Sequence, residues 1–349
     1  MTSPQRLEQI HAFLSGTPFE GAELHPLAGD ASFRRYIRLH KGDARAMLMD
    51  APVDKEDVRP YLSVARYLHA SGFSAPEILA QQPETGLLLL EDLGDDSFTR
   101  LLKGGDAALE KQLYGAAIDV LAEWHDTAKG FSDPSKLALP RYDAALLMRE
   151  VGLLSEWFLP QVVGKEKATL LQPEYVAIWE NIIGRSGLGT GLWVHRDYHA
   201  DNLMWLPQRK NAARVGLLDF QDGVYGDAAY DLVSLLEDAR RDVAPQLAED
   251  MLRRYISASG ADNEALRAAY AVLGAQRNCK IVGIFMRLAA RDSKPHYLNF
   301  LPRVWGHLAT DLRHPSLAPL KAWMDTHVPQ EMRGVIALRH SAAELALTA

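Results

Sequence analysis

The chain has 349 residues, 48% of them hydrophobic and 24% charged, a balance that excludes disordered, collagenous and low-complexity classes and allows a large core. Lys plus Arg number 38 against 45 Asp plus Glu, a formal charge of −7, which argues against a broad nucleic-acid footprint. The one cysteine, Cys279, excludes an intrachain disulfide and a multi-cysteine zinc site and suits a reducing compartment.

No apolar signal core follows the N-terminus, and no apolar run approaches the ~20 residues of a spanning helix. The expectation is a cytoplasmic protein with no membrane contact. Residues 4–15 read as a helix with Leu7, Ile10, His11 and Leu14 on one face. The small-residue stretch Gly29-Asp30-Ala31-Ser32 follows. Next come a strand carrying Phe33, Tyr36, Ile37 and Leu39, a turn at Lys41-Gly42-Asp43 and a strand over 46–49. From Asp57 a helix is expected, with Pro60 in its first turn, Tyr61, Val64, Ala65 and Leu68 on its apolar face and Gly72 at its end. Residues 78–81 and 87–90 read as a hairpin around Pro83-Glu84-Thr85-Gly86.

After Leu93-Gly94 the pattern changes. Helical spacing runs through 113–125, 146–158, 230–237, 247–256 and 266–288, with strands only at 192–194, 203–205 and 215–220. The expected architecture is α+β and bilobal, with a β-rich N-lobe over 1–93 and a mostly helical C-lobe over 94–349. A cleft between such lobes is a usual ligand site.

The chemistry concentrates in His195-Arg196-Asp197-Tyr198-His199-Ala200-Asp201-Asn202 and, 17 residues after Asn202, in Asp219-Phe220-Gln221-Asp222. The first segment satisfies H-R-D-x-x-x-x-N at every defined position. The second keeps the Asp-Phe of D-F-G but has Gln221 in place of glycine. Phosphoryl transfer needs an acceptor hydroxyl in line with the γ-phosphate and charge neutralised on the phosphates. Asp197 suits the carboxylate that faces the hydroxyl. Asn202 and Asp219 suit the oxygen donors that hold Mg²⁺, a hard cation. Taken singly, such Asp and Asn residues are turn-formers or caps. His195 and His199 have the spacing of a helical zinc pair, but Arg196 stands where that motif needs glutamate, and the flanks read as strand and loop. His195 and Arg196 are expected to brace the loop. No G-x-S-x-G elbow, Walker-A loop or post-strand G-x-G-x-x-G is present.

With these motifs, the chain resembles the aminoglycoside phosphotransferase-type small-molecule kinases over nearly its whole length. Within them it is most similar to bacterial kinases of cell-wall amino sugars. Further stretches that carry the resemblance are Gly29-Asp30-Ala31-Ser32-Phe33-Arg34-Arg35-Tyr36, Met49-Asp50-Ala51-Pro52, Leu88-Leu89-Leu90-Glu91-Asp92-Leu93-Gly94 and Tyr225-Gly226-Asp227-Ala228-Ala229-Tyr230-Asp231-Leu232. The resemblance implies a protein-kinase-like fold and ATP with Mg²⁺ as cofactors. It implies phosphorylation of the anomeric hydroxyl of N-acetylmuramate and N-acetylglucosamine, in cell-wall recycling. It also implies that Gly29 to Phe33 cover the ATP phosphates and that the backbone at Glu91 and Leu93 bonds adenine. Asp227 and Asp231 are expected to cap and brace the helix after the metal loop.

One departure stands out. Such kinases carry a lysine on the third strand, and here that strand is Ala46-Met47-Leu48-Met49-Asp50. Arg34, Arg35 or Arg38 is expected to supply the phosphate-binding cation instead, because arginine grips phosphate bidentately. Glu56 and Asp57 stay unassigned as partners. For the acceptor, the candidates beside Asp197 are Glu150, Trp157, Tyr198 and Gln221, with Arg277, Asn278 and Lys280 for a lactyl carboxylate. Two alternatives stay open: a kinase of another small hydroxyl acceptor, such as an aminoglycoside or amino alcohol, and a nucleotide-binding pseudokinase scaffold. Beyond the small-molecule acceptor, no protein partner is signalled.

Overall fold

Five short strands from the first hundred residues form one antiparallel sheet. In the computed structural model, which describes residues 3–27, 33–126, 137–334 and 338, these are β1 (Glu23–Pro26), β2 (Arg35–Lys41), β3 (Ala44–Asp50), β4 (Ile78–Gln82) and β5 (Leu87–Glu91), in the order β1-β2-β3-β5-β4. The β2–β3 hairpin closes at the expected turn, with Lys41 opposite Ala44. The β4–β5 turn ends on Gly86 at φ +69°, where an added Cβ would lie 1.8 Å from the Ala51 carbonyl oxygen. Both the backbone and that contact require glycine.

Helix α1 (Pro4–Leu14) starts where the Ser3 hydroxyl accepts the Arg6 N–H. It buries Ile10 and Leu14 with Ile37, Leu39, Ala46, Leu48, Leu87 and Leu89 of the sheet. Leu7 and His11, expected on the same face, are exposed. Helix α2 (Arg59–Ala70) follows Asp57, whose carboxylate accepts the Arg59 N–H at 3.0 Å. It buries Tyr61, Val64, Ala65 and Leu68 as the spacing predicts. Gly72, in left-handed conformation, follows its end.

The chain divides into two compact units. The first runs through Val120 and gathers Ala200–Asp222, so it reaches beyond residue 93. It includes α3 (Phe98–Leu101) and most of α4 (Ala107–Trp124). Four further strands make two ribbons: β6 (Leu192–Val194) pairs with β9 (Val224–Gly226), and β7 (Leu203–Trp205) pairs with β8 (Val215–Leu217). The apolar runs that flank the catalytic motif thus belong to two different ribbons, one in each unit.

The second unit is mostly helical: α5 (Ala144–Leu153), α6 (Leu159–Val163), α7 (Lys165–Arg185), α8 (Ala229–Leu236), α9 (Pro245–Ser259), α10 (Asn263–Arg291), α11 (Leu301–Asp311) and α12 (Ala318–His327). A π-helical turn over Leu154–Phe158 separates α5 from α6. Helix α10 lies so close to α5 that a Cβ at Gly283 would sit 2.3 Å from the Leu153 backbone. Phe158, Tyr175, Trp179, Phe285, Trp305 and Trp323 fill this core. The α+β class therefore holds. Among the described residues no helix is long and apolar enough to cross a membrane.

Candidate active site

The β7–β8 ribbon organises the motif residues of the first unit. Leu203 stands opposite Leu217, and the Leu218 N–H extends the ladder by donating to the Asn202 carbonyl at 2.9 Å. Asn202 and Asp219 therefore flank the same end of one ribbon. The chain turns away at Asp219, with φ +58°, which ends the strand at Leu217 rather than at residue 220. Aspartate is one of the few residues besides glycine that adopts this backbone readily. Phe220 anchors the turn by packing on Tyr61, ring centroids 4.8 Å apart.

The Asp219 side chain is 43% exposed. Its Oδ1 accepts from Arg34 Nη2 at 3.2 Å and from Gln221 Nε2 at 2.9 Å. Burial pulls the Arg34 pKa down, but Tyr36, Asp219, Glu56 and Asp222 together raise it above its ordinary value. Glu56, unassigned from sequence, thus acts on Arg34. The other two candidate arginines are engaged elsewhere. Arg35 pairs at 2.6 Å with the fully buried Asp50, which also holds Arg6 at 2.8 Å. Arg38 pairs with Asp92 and Asp95 at 2.6 and 2.7 Å.

Gly29, Asp30, Ala31 and Ser32 lie outside the described residues. Phe33 is 62% exposed. The Glu91 N–H donates to the Glu77 carbonyl at 2.8 Å, which removes it as an adenine donor, and the Glu91 carboxylate accepts from Arg209. Leu93 packs against Gly216, where a Cβ would approach it to 2.9 Å.

In the second unit the catalytic loop is held from behind. Asp231, in the first turn of α8, is fully buried. Its two oxygens accept the His195 N–H at 2.7 Å and the Arg196 N–H at 2.9 Å. Burial pushes its pKa up to about 7 against the pull of those two N–H groups. Sequence reading placed Asp231 as a brace of its own helix, whereas it reaches back to the loop. Asp227 does brace that helix, accepting the Ala229 N–H at 2.9 Å. His195 is buried, its ring beside Trp193 and Tyr198. Tyr198 is 0% exposed and edge-on to Trp124 at 5.2 Å, so it is core rather than a face for an acceptor. Burial pushes the Asp197 carboxyl up, but the charges of Lys280, His199, Arg277 and His195 bring it below the usual carboxylate range. It is therefore ionised at neutral pH, as a proton acceptor must be.

Arg196 adopts φ +74°, a conformation that costs about 1–2 kcal/mol for a residue with a Cβ. Besides the Asp231 bond to its N–H, further contacts hold it there. Its guanidinium donates to Glu150 Oε1 at 2.5 Å and lies 5.5 Å over the Tyr142 ring, and its carbonyl accepts from Ser234 Oγ at 3.3 Å. Glu150, itself buried, also accepts from Tyr142 Oη, Lys280 Nζ at 3.0 Å and Gln276 Nε2 at 3.1 Å. Burial raises the Glu150 pKa, and Lys280 and Arg196 more than reverse that.

The expected acceptor residues thus separate. Glu150 and Lys280 are committed to each other. Arg277 is 5% exposed and donates to Ser234 Oγ at 3.0 Å. Asn278 is buried between Glu237 and Asp311. Trp157 is half-buried against the helical core, and Gln221 stays beside Asp219. Sequence reading missed Tyr142 and Ser234, for which no local motif exists. His195 and His199 lie on a loop rather than on one helix face, and among the described residues no group of three or more His, Cys, Asp or Glu is arranged to hold a metal.

Comparison with known proteins extends this geometry. Residues 23–271 match the family described as the phosphotransferase enzyme family. The chain is 40% identical to the N-acetylmuramate/N-acetylglucosamine kinase of Caulobacter vibrioides, over 95% of this chain and 99% of that protein. It is 38% identical to the Pseudomonas aeruginosa protein of the same name, over 86% of this chain and 87% of that one. Among solved structures, its fold is similar to choline kinase LicA from Streptococcus pneumoniae, with TM-score 0.61 and 14% identity over 88% of this chain and 99% of that chain. It is similar also to ADP-bound aminoglycoside phosphotransferase APH(2'')-Ib, with TM-score 0.56 and 18% identity over 88% of this chain and 97% of that chain. At those identities the two structures speak to the fold alone.

Proposed function

The chain belongs to the phosphotransferase enzyme family and is an ATP-dependent kinase, and from that premise we propose that it phosphorylates the anomeric hydroxyl of N-acetylmuramate and N-acetylglucosamine. The products are the sugar 1-phosphates and ADP, and the role is recycling of cell-wall sugars. The two amino sugars are supported by the names of relatives at 40% and 38% identity. The observation that carries the chemistry is the ribbon end that joins Asn202 to Asp219, five residues on from an ionised Asp197. The kinase assignment leaves no place for the scaffold alternative.

In this reading the anomeric oxygen attacks the γ-phosphorus, the bond to the β–γ bridging oxygen breaks, and Asp197 takes the hydroxyl proton. The phosphoryl group thus moves intact and ADP leaves. Asn202 and Asp219 would hold Mg²⁺. One carboxylate and one amide oxygen, both hard donors, suit an ion that takes its remaining ligands from phosphate and water. When bound, that ion neutralises charge on the β- and γ-phosphates. Arg34 is the cation we assign to the phosphates in place of the strand lysine, since it already meets Asp219. Nucleotide recognition falls to the N-lobe, with Gly29 to Phe33 over the phosphates and the Leu93 backbone at adenine.

A coupled ADP-release assay with Mg-ATP tests this reading against N-acetylmuramate, N-acetylglucosamine, kanamycin, choline and no acceptor. Turnover of the two amino sugars to an acid-labile phosphate is expected. Turnover with kanamycin or choline alone would overturn the substrate, and an acid-stable sugar phosphate would overturn the anomeric position.

A further inference from the structure

We propose that Glu150 and Lys280 are positioning residues for Asp197: Glu150 grips both the Arg196 guanidinium and the Lys280 ammonium, fixing the strained residue next to Asp197 and keeping Lys280 from closing onto its carboxylate. This inference rests on the reading of Asp197 as the base.

The charge arithmetic is the reason. Arg196 and Lys280 bring two positive charges to a buried region, and Glu150 and Asp197 bring two negative ones. The hydrogen bonds of Lys280 go to Glu150 Oε1 at 3.0 Å and Tyr230 Oη at 3.2 Å, with the Tyr230 ring 5.7 Å below its ammonium. Yet Lys280 exerts the largest pull of any charge on Asp197. It is a cation held within range of the base by another acid. Buried charges that lose a partner find a new one or lose their charge. Without the Glu150 carboxylate, Lys280 turns to Asp197, while Arg196 loses a contact that offsets its left-handed backbone. Tyr142 and Gln276 complete the grip on Glu150, so the acid is fixed from several sides rather than being a mobile ligand for an acceptor.

Charged groups acting on Asp197 include Lys280 and Arg277 from α10, His195, Arg196 and His199 from its own loop, and Asp231 from α8. Neither substitution below touches the histidines, Arg277 or Asp231. Any ionisation of theirs contributes the same background to wild type and variants.

The test compares Glu150→Gln, Lys280→Met and the double variant with wild type. It reads kcat and KM for ATP, and the acid limb of the kcat pH profile. Glu150→Gln should lower kcat roughly 10- to 100-fold, leave KM for ATP within about twofold of wild type, and move the acid limb to lower pH. Lys280→Met should move the limb to higher pH, because Asp197 loses a cation while staying buried. The double variant should bring the limb back toward wild type. A purely structural role predicts instead that both single variants lose melting temperature and move the limb in the same direction or not at all, and that result overturns the proposal. Should Glu150→Gln fail to fold, the direction of the Lys280→Met shift decides alone: upward supports, unmoved or downward overturns. Asp197→Asn run in parallel separates the two failures. If it turns over normally, the base assignment falls and the positioning role with it. If it is inactive while Glu150→Gln keeps the wild-type kcat and limb, only the positioning role falls.

Discussion

Asp219 and Asp231 carry the same side chain in opposite settings. Asp219 stands at a ribbon end in the first unit, 43% exposed, its carboxylate met by the side chains of Arg34 and Gln221. Asp231 is sealed in the second unit, its carboxylate on two backbone N–H groups of the catalytic loop. Side-chain partners at a partly exposed acid can be exchanged for an incoming ligand. Backbone partners of a buried acid cannot, and an unpaired buried N–H costs about 1–3 kcal/mol. One aspartate is arranged to receive and the other to hold.

Breaking each side of that contrast has its own signature. Asp219→Asn, which keeps a residue tolerant of the left-handed backbone, should lower kcat/KM by ~10³-fold or more, since it removes the anionic donor proposed to hold the ion that neutralises phosphate charge. Its melting temperature should stay close to wild type, and a fall of more than a few degrees would make Asp219 a structural acid. Asp231→Asn should do both kinds of damage. An amide offers one acceptor where the carboxylate offers two, so one loop N–H is left unpaired. We expect a stability loss of about 1–3 kcal/mol in urea titration and a kcat lower by ~10²-fold. Wild-type stability in this variant would contradict the brace.

Arg34→Ala sharpens the receiving side. It should raise KM for ATP about tenfold, the scale of one charge-assisted contact. Arg35→Ala and Arg38→Ala should change it less, because those arginines are bound to Asp50, Asp92 and Asp95. Equal effects from all three would place the phosphate cation elsewhere.

The smallest effect concerns another buried acid on the holding side. Asp311 and Glu237 both accept from Asn278 Nδ2, at 3.0 and 2.8 Å. Burial, and then Glu237, push the Asp311 pKa well above the usual carboxylate range. A raised carboxyl stabilises the fold below its unfolded pKa of about 3.9, and that contribution is lost as pH rises through the folded value. Asp311→Asn should therefore gain on wild type between about pH 5 and about pH 8 in urea midpoints. A difference that is the same at both pH values would contradict the raised Asp311 pKa.

Legibility from sequence followed the range of the interactions. Residues 192–194 and 203–205 were readable at their observed bounds because each is a short apolar run between turn residues. Helix α2 was readable from the spacing of Tyr61, Val64, Ala65 and Leu68, which is the face it buries. Helices α7, α11 and α12 were not read. Pro173 inside α7 interrupts the expected pattern, whereas the prolines of α11 and α12 sit in the first turn, where a helix accepts them. The π-helical turn at Leu154–Phe158 keeps helical spacing and so was invisible. The site divided in the same way. Asp197, Asn202 and Asp219 announce themselves because phosphoryl transfer demands fixed residue types at fixed short spacing. The Asp231 brace spans 36 and 35 residues, and the Glu150–Arg196 pair spans 46. No local pattern encodes such contacts, which is why Glu150 and Lys280 looked like acceptor ligands rather than partners of each other.

The most direct test of the central claim is single-turnover transfer from labelled ATP to N-acetylmuramate by wild type and Asp197→Asn, with ATP binding measured on the same samples. The account predicts equal ATP binding and a transfer rate lower by ~10³-fold in the variant, within the range for loss of a general base. Transfer at the wild-type rate, or a loss explained entirely by lost ATP binding, would contradict it.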